Sequence, residues 1–207
     1  MTGRFLTLEG IDGAGKSTHL AGAVERLRAS GLEVVLTREP GGSPLAEDLR
    51  EWLLNRAMAP QTELLLMFAA RADHLDQLIR PALARGAWVV CDRFTDSTLA
   101  YQGGGRGLDQ ALIRALAKTV HGDCEPDRTY YFDLDAETAE RRRLASRDAD
   151  RFEAEQRAFF DRVRGAYQAI AKEQPERVLT LDSAQSLAAV QARLYADLDD
   201  QMARYGG

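Results

Sequence analysis

Near the start of the chain, Gly10, Gly15, Lys16 and Ser17 stand at the spacing G-x-x-x-x-G-K-[ST]. Each of these types does something for a polyphosphate. The glycines let the backbone turn with positive φ and bring its N–H groups against phosphate oxygens with no Cβ in the way. Lys16 supplies a point charge for the β and γ phosphates, and the Ser17 hydroxyl can ligate Mg²⁺. A helix starting here directs the positive end of its dipole at the anion. The apolar run 86–91 ends in Asp92, an acid placed to hold the same metal directly or through water. Arginines recur further on, at Arg38, Arg71, Arg93 and Arg106, and five more crowd into 141–151: Arg141, Arg142, Arg143, Arg147 and Arg151. Arginine suits phosphate because its planar fork donates two hydrogen bonds at once.

The elements that must position these groups can be read from the pattern. Phe5 to Leu8 reads as a buried strand and His19 to Ala29 as a helix, so the glycine-rich loop lies between strand and helix as a phosphate loop requires. Leu32 to Thr37, Gly86 to Arg93, Thr129 to Leu134 and Val178 to Asp182 read as further strands. Helical patterns fill the intervals, at Leu45 to Leu54, Thr62 to Ala84, Leu108 to Val120, Phe152 to Lys172 and Ser186 to Arg204. Strands alternating with helices predict an α/β fold with a parallel sheet. Pro81 is expected to kink the long helix. Leu64 to Ala70 is apolar nearly all round and is expected to be buried on several sides, though a dimer surface would look the same. Arg71 after it either snorkels to the surface or lines a pocket. The polar loop Arg38-Glu39-Pro40-Gly41-Gly42 follows a strand's carboxyl end, where ligands bind in such sheets. The stretch from Phe94 to Gly107, with Ser97, Thr98, Tyr101 and Gln102, is too polar for core. Asp135 or Thr138 is expected to cap the next helix. Tyr167 is by default a core aromatic.

Composition narrows the class. The 207 residues suit one domain, with a mobile lid at about 141–151. The net charge of −5 argues against a nucleic-acid polymer as partner. Two cysteines suggest no disulfide framework and fit a reducing cytoplasm, and Cys91 reads as core. No long apolar run resembles a signal peptide or a membrane span. A GTPase would need a guanine-reading Asn-Lys-x-Asp, which is missing. A second polar pocket and an arginine-rich lid suit a kinase for a small phosphorylated acceptor, in which several cations offset repulsion between two anionic substrates. From another class, a nucleotide-binding switch without turnover would not require the acceptor pocket.

These blocks together resemble a known family. Phe5-x-x-x-Glu9-Gly10-x-Asp12-Gly13-x-Gly15-Lys16-Ser17, Thr37-Arg38-Glu39-Pro40-Gly41-Gly42, Asp92-Arg93-Phe94, Ser97, and Ala100-Tyr101-Gln102-Gly103 with Arg106-Gly107 look like bacterial thymidylate kinase. The resemblance runs from Phe5 to about Asp182. It implies a P-loop kinase fold with a five-stranded parallel sheet, transfer of the γ-phosphoryl of ATP to dTMP, Mg²⁺, and a cytoplasmic homodimer. The nearest alternative is a kinase for another nucleoside monophosphate or a deoxynucleoside.

The family's roles fall on matching positions. Gly10, Ile11, Asp12, Gly13, Ala14, Gly15, Lys16, Ser17 and Thr18 would wrap ATP, with Arg142 and Arg143 beside them. Ser17 and Asp92 would hold the metal. Asp12 would approach the acceptor sugar, and Arg93 would grip the dTMP phosphate. Arg38, Glu39 and Pro40 would line that phosphate, and Arg71 would bond a thymine carbonyl. Ser97 and Thr98 would face the thymine edge, with Gln102 nearby. Tyr101 would sit against the sugar 2′ position. Arg106 and Tyr167 would also contact the acceptor. Two departures stand out. Met67 occupies the position where the family stacks a phenylalanine on thymine, and Phe68 is the expected substitute, since positions three and four apart share a helix face. Gly13 replaces a basic residue, so the lid is expected to supply the catalytic arginine, Arg147 or Arg151.

Overall fold

The computed structural model describes residues 3–144 and 157–206. Five parallel strands form one sheet in the order β2-β3-β1-β4-β5, with β1 Phe5–Glu9, β2 Val34–Arg38, β3 Trp88–Asp92, β4 Arg128–Asp133 and β5 Val178–Asp182. The chain order reverses on either side of β1, and a crevice opens there beyond the strands' carboxyl ends. Register follows the pleat. Leu6 and Leu8 enter one core and Phe5 the opposite one; Trp88 and Val90 join the first, Val89 and Cys91 the second. Helices cover both faces, which is why these strands read as continuous apolar runs.

Helix α1 (Lys16–Ala29) starts at Lys16, earlier than the periodicity suggested, because the phosphate loop itself turns into the helix. Then come α2 (Pro44–Asn55) and α3 (Pro60–His74). The expected kink at Pro81 takes a particular form. The helix widens into a π-turn over Leu75–Ile79 and resumes as α4 (Arg80–Ala84), with Pro81 in its first turn. A wider turn accommodates a residue that has no N–H to donate and whose ring crowds the preceding carbonyls.

The expectation that Leu64 to Ala70 is buried on several sides is corrected. Leu64, Phe68 and Ala70 are buried, but Leu65 is 58% exposed and Ala69 also faces out. A second correction concerns Phe94 to Gly107. This stretch is α5 (Thr95–Thr98) followed by a π-helical segment (Leu99–Gly105), and most of it is buried. Its polar groups are satisfied internally, which offsets the cost of burial: Gln102 Nε2 donates to Glu63 Oε1 at 2.9 Å. Glycines let the neighbouring helix approach, since a Cβ on Gly105 would stand 2.5 Å from the Phe159 ring and one on Gly104 2.6 Å from Ala166 Cβ.

The remaining helices are α6 (Gln110–His121), α7 (Ala136–Leu144), α8 (Arg157–Glu173) and α9 (Leu187–Tyr205). Of the two proposed caps for α7, Asp135 serves: its Oδ1 accepts the Thr138 N–H at 2.8 Å. Phe152, the expected start of α8, lies outside the described residues, as do Arg147, Arg151 and most of the lid.

Candidate active site

A cleft of about 720 Å³ opens over the carboxyl ends of the strands. Its floor is the phosphate loop. Gly10, Gly13 and Gly15 all have positive φ (141°, 86° and 96°). A Cβ on Gly10 would meet the Phe132 carbonyl at 2.6 Å, and one on Gly13 the Ala139 carbonyl at 2.3 Å, so both positions need glycine twice over. Lys16 folds back and donates from Nζ to the carbonyls of Gly10 (2.9 Å) and Ile11 (3.2 Å). Burial and then Arg93 lower the affinity of its ammonium for a proton, while Asp92, Asp12 and Glu9 pull the other way. Asp92 ends β3 on the wall of the cleft that Ser17 also lines. Its Oδ1 is buried and accepts no hydrogen bond among the described residues. Hard oxygen donors at Asp92 and Ser17 fit Mg²⁺, which takes one or two protein oxygens and completes its shell with phosphates and water.

Arg93 is the hinge between the two halves of the cleft. It is the non-glycine residue with positive φ (73°) among the described residues. Its Nη2 donates to Asp12 Oδ1 at 2.6 Å and to the Tyr101 hydroxyl at 3.2 Å. Its Nη1 donates to Ser97 Oγ at 3.1 Å and to the Tyr167 hydroxyl at 3.3 Å. Burial opposes its charge, but Tyr101, Asp12, Tyr167 and Asp92 outweigh burial and hold it as a cation. Behind Ser97 and Tyr167 lies Glu9, the last residue of β1 and 1% exposed. Glu9 accepts from the Phe94 N–H (2.6 Å), Ser97 Oγ (2.6 Å) and the Tyr167 hydroxyl (2.9 Å). Burial, then the Asp96 carboxylate, push its carboxyl up to about 7 against the pull of the Ser97 hydroxyl, Arg93 and the Phe94 N–H.

Beyond Arg93 a second pocket is built around Arg71. It is 2% exposed, so the snorkelling alternative falls and the pocket-lining one stands. Glu39 Oε2 accepts from Arg71 Nε at 2.7 Å and Thr98 Oγ1 from Nη2 at 2.9 Å, which leaves Nη1 with no hydrogen-bond partner among the described residues. The other Glu39 oxygen pairs with His74 Nδ1 at 3.1 Å, and His74 Nε2 meets Thr37 Oγ1 at 2.7 Å. The Phe68 ring packs under the Arg71 guanidinium, 4.9 Å from its carbon.

The cleft brings together most of the residues named from sequence. Asp12 to Thr18, Arg38, Glu39, Pro40, Met67, Arg71, Asp92, Arg93, Ser97, Thr98, Tyr101, Gln102 and Arg142 all line it. Several do not. Gly10 and Ile11 lie beneath the loop, and Tyr167 reaches the site through its hydroxyl from behind. Arg106 sits off the cleft wall, 3.5 Å from Glu63. Met67, rather than Phe68, is on the wall; Phe68 is in the core, 3% exposed. Arg147 and Arg151 lie outside the described residues, and of Arg143 the backbone alone is described. Four features escaped the sequence reading. Glu9 anchors the hydroxyls. Arg50 of α2 lines the acceptor end and donates to the Pro40 carbonyl at 2.8 Å. His19 lines the far end, its ring stacked on Phe132. The turn after β5 adds Ser183 and Gln185. The rule that ligands gather at strand carboxyl ends, applied to β1 and β5 as it was to β2, would have found Glu9 and Ser183.

Comparison with known proteins agrees with this geometry. A family model described as thymidylate kinase matches residues 8–194. A thymidylate kinase of Pseudomonas fluorescens (strain SBW25) is 58% identical over 210 residues, covering all of both chains. One from Bordetella pertussis is 54% identical over 202 residues, 98% of this chain and 97% of that one. A crystal structure of thymidylate kinase from Ehrlichia chaffeensis superposes with a TM-score of 0.77 at 35% identity, covering 96% of this chain and 99% of the other.

Proposed function

The chain belongs to the thymidylate kinase family, and we propose that its cleft seats ATP and dTMP tail to tail, with Arg93 and the phosphate loop at the junction. The reaction passes the γ-phosphoryl group of ATP to dTMP and gives dTDP, one step short of dTTP. The observation that carries the arrangement is the single cleft with a phosphate loop at one end and a second cationic pocket, Arg38, Arg50 and Arg71, at the other.

The acceptor phosphate is already a nucleophile, so no strong base is needed. What the protein supplies is alignment and charge. Lys16 exchanges its loop carbonyls for β and γ phosphate oxygens. Ser17 and Asp92 would hold Mg²⁺, whose chemistry there would be to offset charge on the transferring phosphoryl. Arg93 turns its guanidinium to the dTMP phosphate, with Asp12 marking the sugar side. Arg71 Nη1, left without a partner, offers its proton to a thymine carbonyl. An amino group in that place would set donor against donor, which disfavours cytosine. Tyr101 disfavours a 2′-hydroxyl. Arg142 and Arg143 belong with ATP, and Arg147 or Arg151 would bring the closing positive charge from the lid at about 141–151 of a single domain.

We also propose a cytoplasmic homodimer. Leu65 on α3 and Leu112 on α6 are 58% and 46% exposed on two helices that pack against each other, an apolar surface of the kind subunits bury. Two free cysteines suit a reducing compartment. The test of function is ADP release with dTMP, dUMP, UMP, dGMP and CMP offered in turn. Turnover is expected to be highest with dTMP and far lower with CMP. ATP binding without phosphoryl transfer to any of the five would instead indicate a regulatory switch.

A further inference from the structure

The proposed arrangement gives Arg93 the dTMP phosphate but leaves unexplained why a buried carboxylate stands directly behind it. Each hydroxyl between them carries one proton. Ser97 Oγ and the Tyr167 hydroxyl lie 2.6 and 2.9 Å from Glu9 Oε2 and 2.8 Å from each other. Arg93 Nη1 can only donate, so both hydroxyls must present lone pairs to it. They can do so together when both protons point away, and an ionised Glu9, which only accepts, takes both. The other Glu9 oxygen holds the Phe94 N–H, the first amide after the left-handed turn at Arg93. One carboxylate thus fixes both the backbone turn and the side-chain support of the guanidinium.

We propose that Glu9 is the positioning residue of the acceptor site: its carboxylate orients the Ser97 and Tyr167 hydroxyls so that Arg93 is held toward the dTMP phosphate, and protonation of Glu9 releases that support. This rests on the assignment of Arg93 to that phosphate. A protonated Glu9 must itself donate to one hydroxyl, whose proton then passes to the other across their 2.8 Å contact, and the carboxylate charge that draws the guanidinium onto these hydroxyls is gone.

The titratable and charged groups that act on Glu9 are Arg93 and Asp96 from the turn and α5, Lys16 from the start of α1, Cys91 from β3, Tyr101 from the π segment and Tyr167 from α8. Burial and Asp96 dominate, and they bring the Glu9 carboxyl to about 7, inside the working range.

The experiment is the pH profile of kcat/KM for dTMP and, separately, KM for ATP. In the native enzyme kcat/KM for dTMP should fall on acidification through a group near 7, besides the second phosphate ionisation of dTMP itself at about 6. Glu9→Gln should lose the limb near 7, keep the one from the substrate, raise KM for dTMP on the order of tenfold, the size of one hydrogen bond to a charged group, and leave KM for ATP unchanged. Because Glu9 is buried, Ser97→Ala provides an independent check. It removes a donor that lowers the Glu9 value, so the limb should move to higher pH. A Glu9→Gln enzyme that keeps the limb, or raises both KM values equally, would overturn the proposal, as would a limb that stays in place in Ser97→Ala. Arg93→Ala separates the two levels: if it leaves KM for dTMP unchanged, the assignment of Arg93 fails, and otherwise a failure belongs to Glu9 alone.

Discussion

Single side chains decide the chemistry, and the sharpest expectations belong to them. Lys16→Ala removes the charge meant for the β and γ phosphates and should abolish detectable transfer. The fold should persist, because among the described residues the bonds of the Lys16 ammonium run to two carbonyls of its own loop and the Asp12 carboxylate, not to a distant element; circular dichroism beside an ADP-release assay checks both halves. Arg147→Ala should lower kcat on the order of 10³, as loss of an arginine finger does, with dTMP affinity nearly unchanged; the opposite split would place Arg147 in binding alone. That Lys16, Ser17, Asp92 and Arg93 belong to one site was legible in the sequence, because the G-x-x-x-x-G-K-[ST] spacing and an acid ending an apolar strand form a pattern of their own, and all four line one cleft. Glu9 was not. A glutamate ending a strand reads the same whether it meets water or two hydroxyls, and the second of these, Tyr167, comes from 158 residues away. Met67 and Phe68 were ambiguous for a simpler reason: both lie within reach of one helix face, and only the rotation of α3 puts Met67 on the cleft and Phe68 beneath Arg71.

At the scale of elements, the acceptor side depends on how closely α8 lies on the π segment Leu99–Gly105. Gly105→Ala places a methyl group 2.5 Å from the Phe159 ring and should destabilise the protein by about 1–3 kcal/mol, as overpacking does. Because Tyr101 and Tyr167 belong to the two elements forced apart, KM for dTMP should rise as the melting temperature falls. The middle of α8 is tied to β4 by Asp133. Its carboxylate accepts from Arg164 Nε (2.7 Å) and Nη2 (3.1 Å), the Tyr131 hydroxyl (2.8 Å) and Gln168 (3.1 Å). Burial works against the charged form, but those donors prevail and hold Asp133 below its usual value. A depressed carboxyl contributes stability above its unfolded pKa and loses it as pH falls through the folded one. The stability gap between native protein and Asp133→Asn should therefore be widest at neutral pH and close on acidification, measured by denaturant titration. The five strands were legible because apolar runs covered on both faces have few other readings. The segment 94–107 was not, since its polar letters conceal partners such as Glu63 that the fold alone brings near.

For the molecule as a whole, a parallel sheet flanked by helices followed from alternating patterns, whereas the strand order and the outer surface did not. An exposed Leu65 and a buried Leu64 are the same letter one position apart. If α3 and α6 form the subunit contact, Leu65→Glu should convert a dimer into a monomer in light scattering, with the monomer's melting temperature reported at matched protein concentration. A native chain that is already monomeric would remove the dimer from the proposal. The resting phosphate loop has a consequence for how the enzyme lives among other anions. Its ammonium is never idle: it is already satisfied by two internal carbonyls, so any newcomer must offer more than they do. A triphosphate presenting several oxygens in a row can, whereas a lone orthophosphate gains little by the exchange. Bystander phosphate should thus displace ATP only weakly in an equilibrium titration, leaving the loop open in a phosphate-rich milieu.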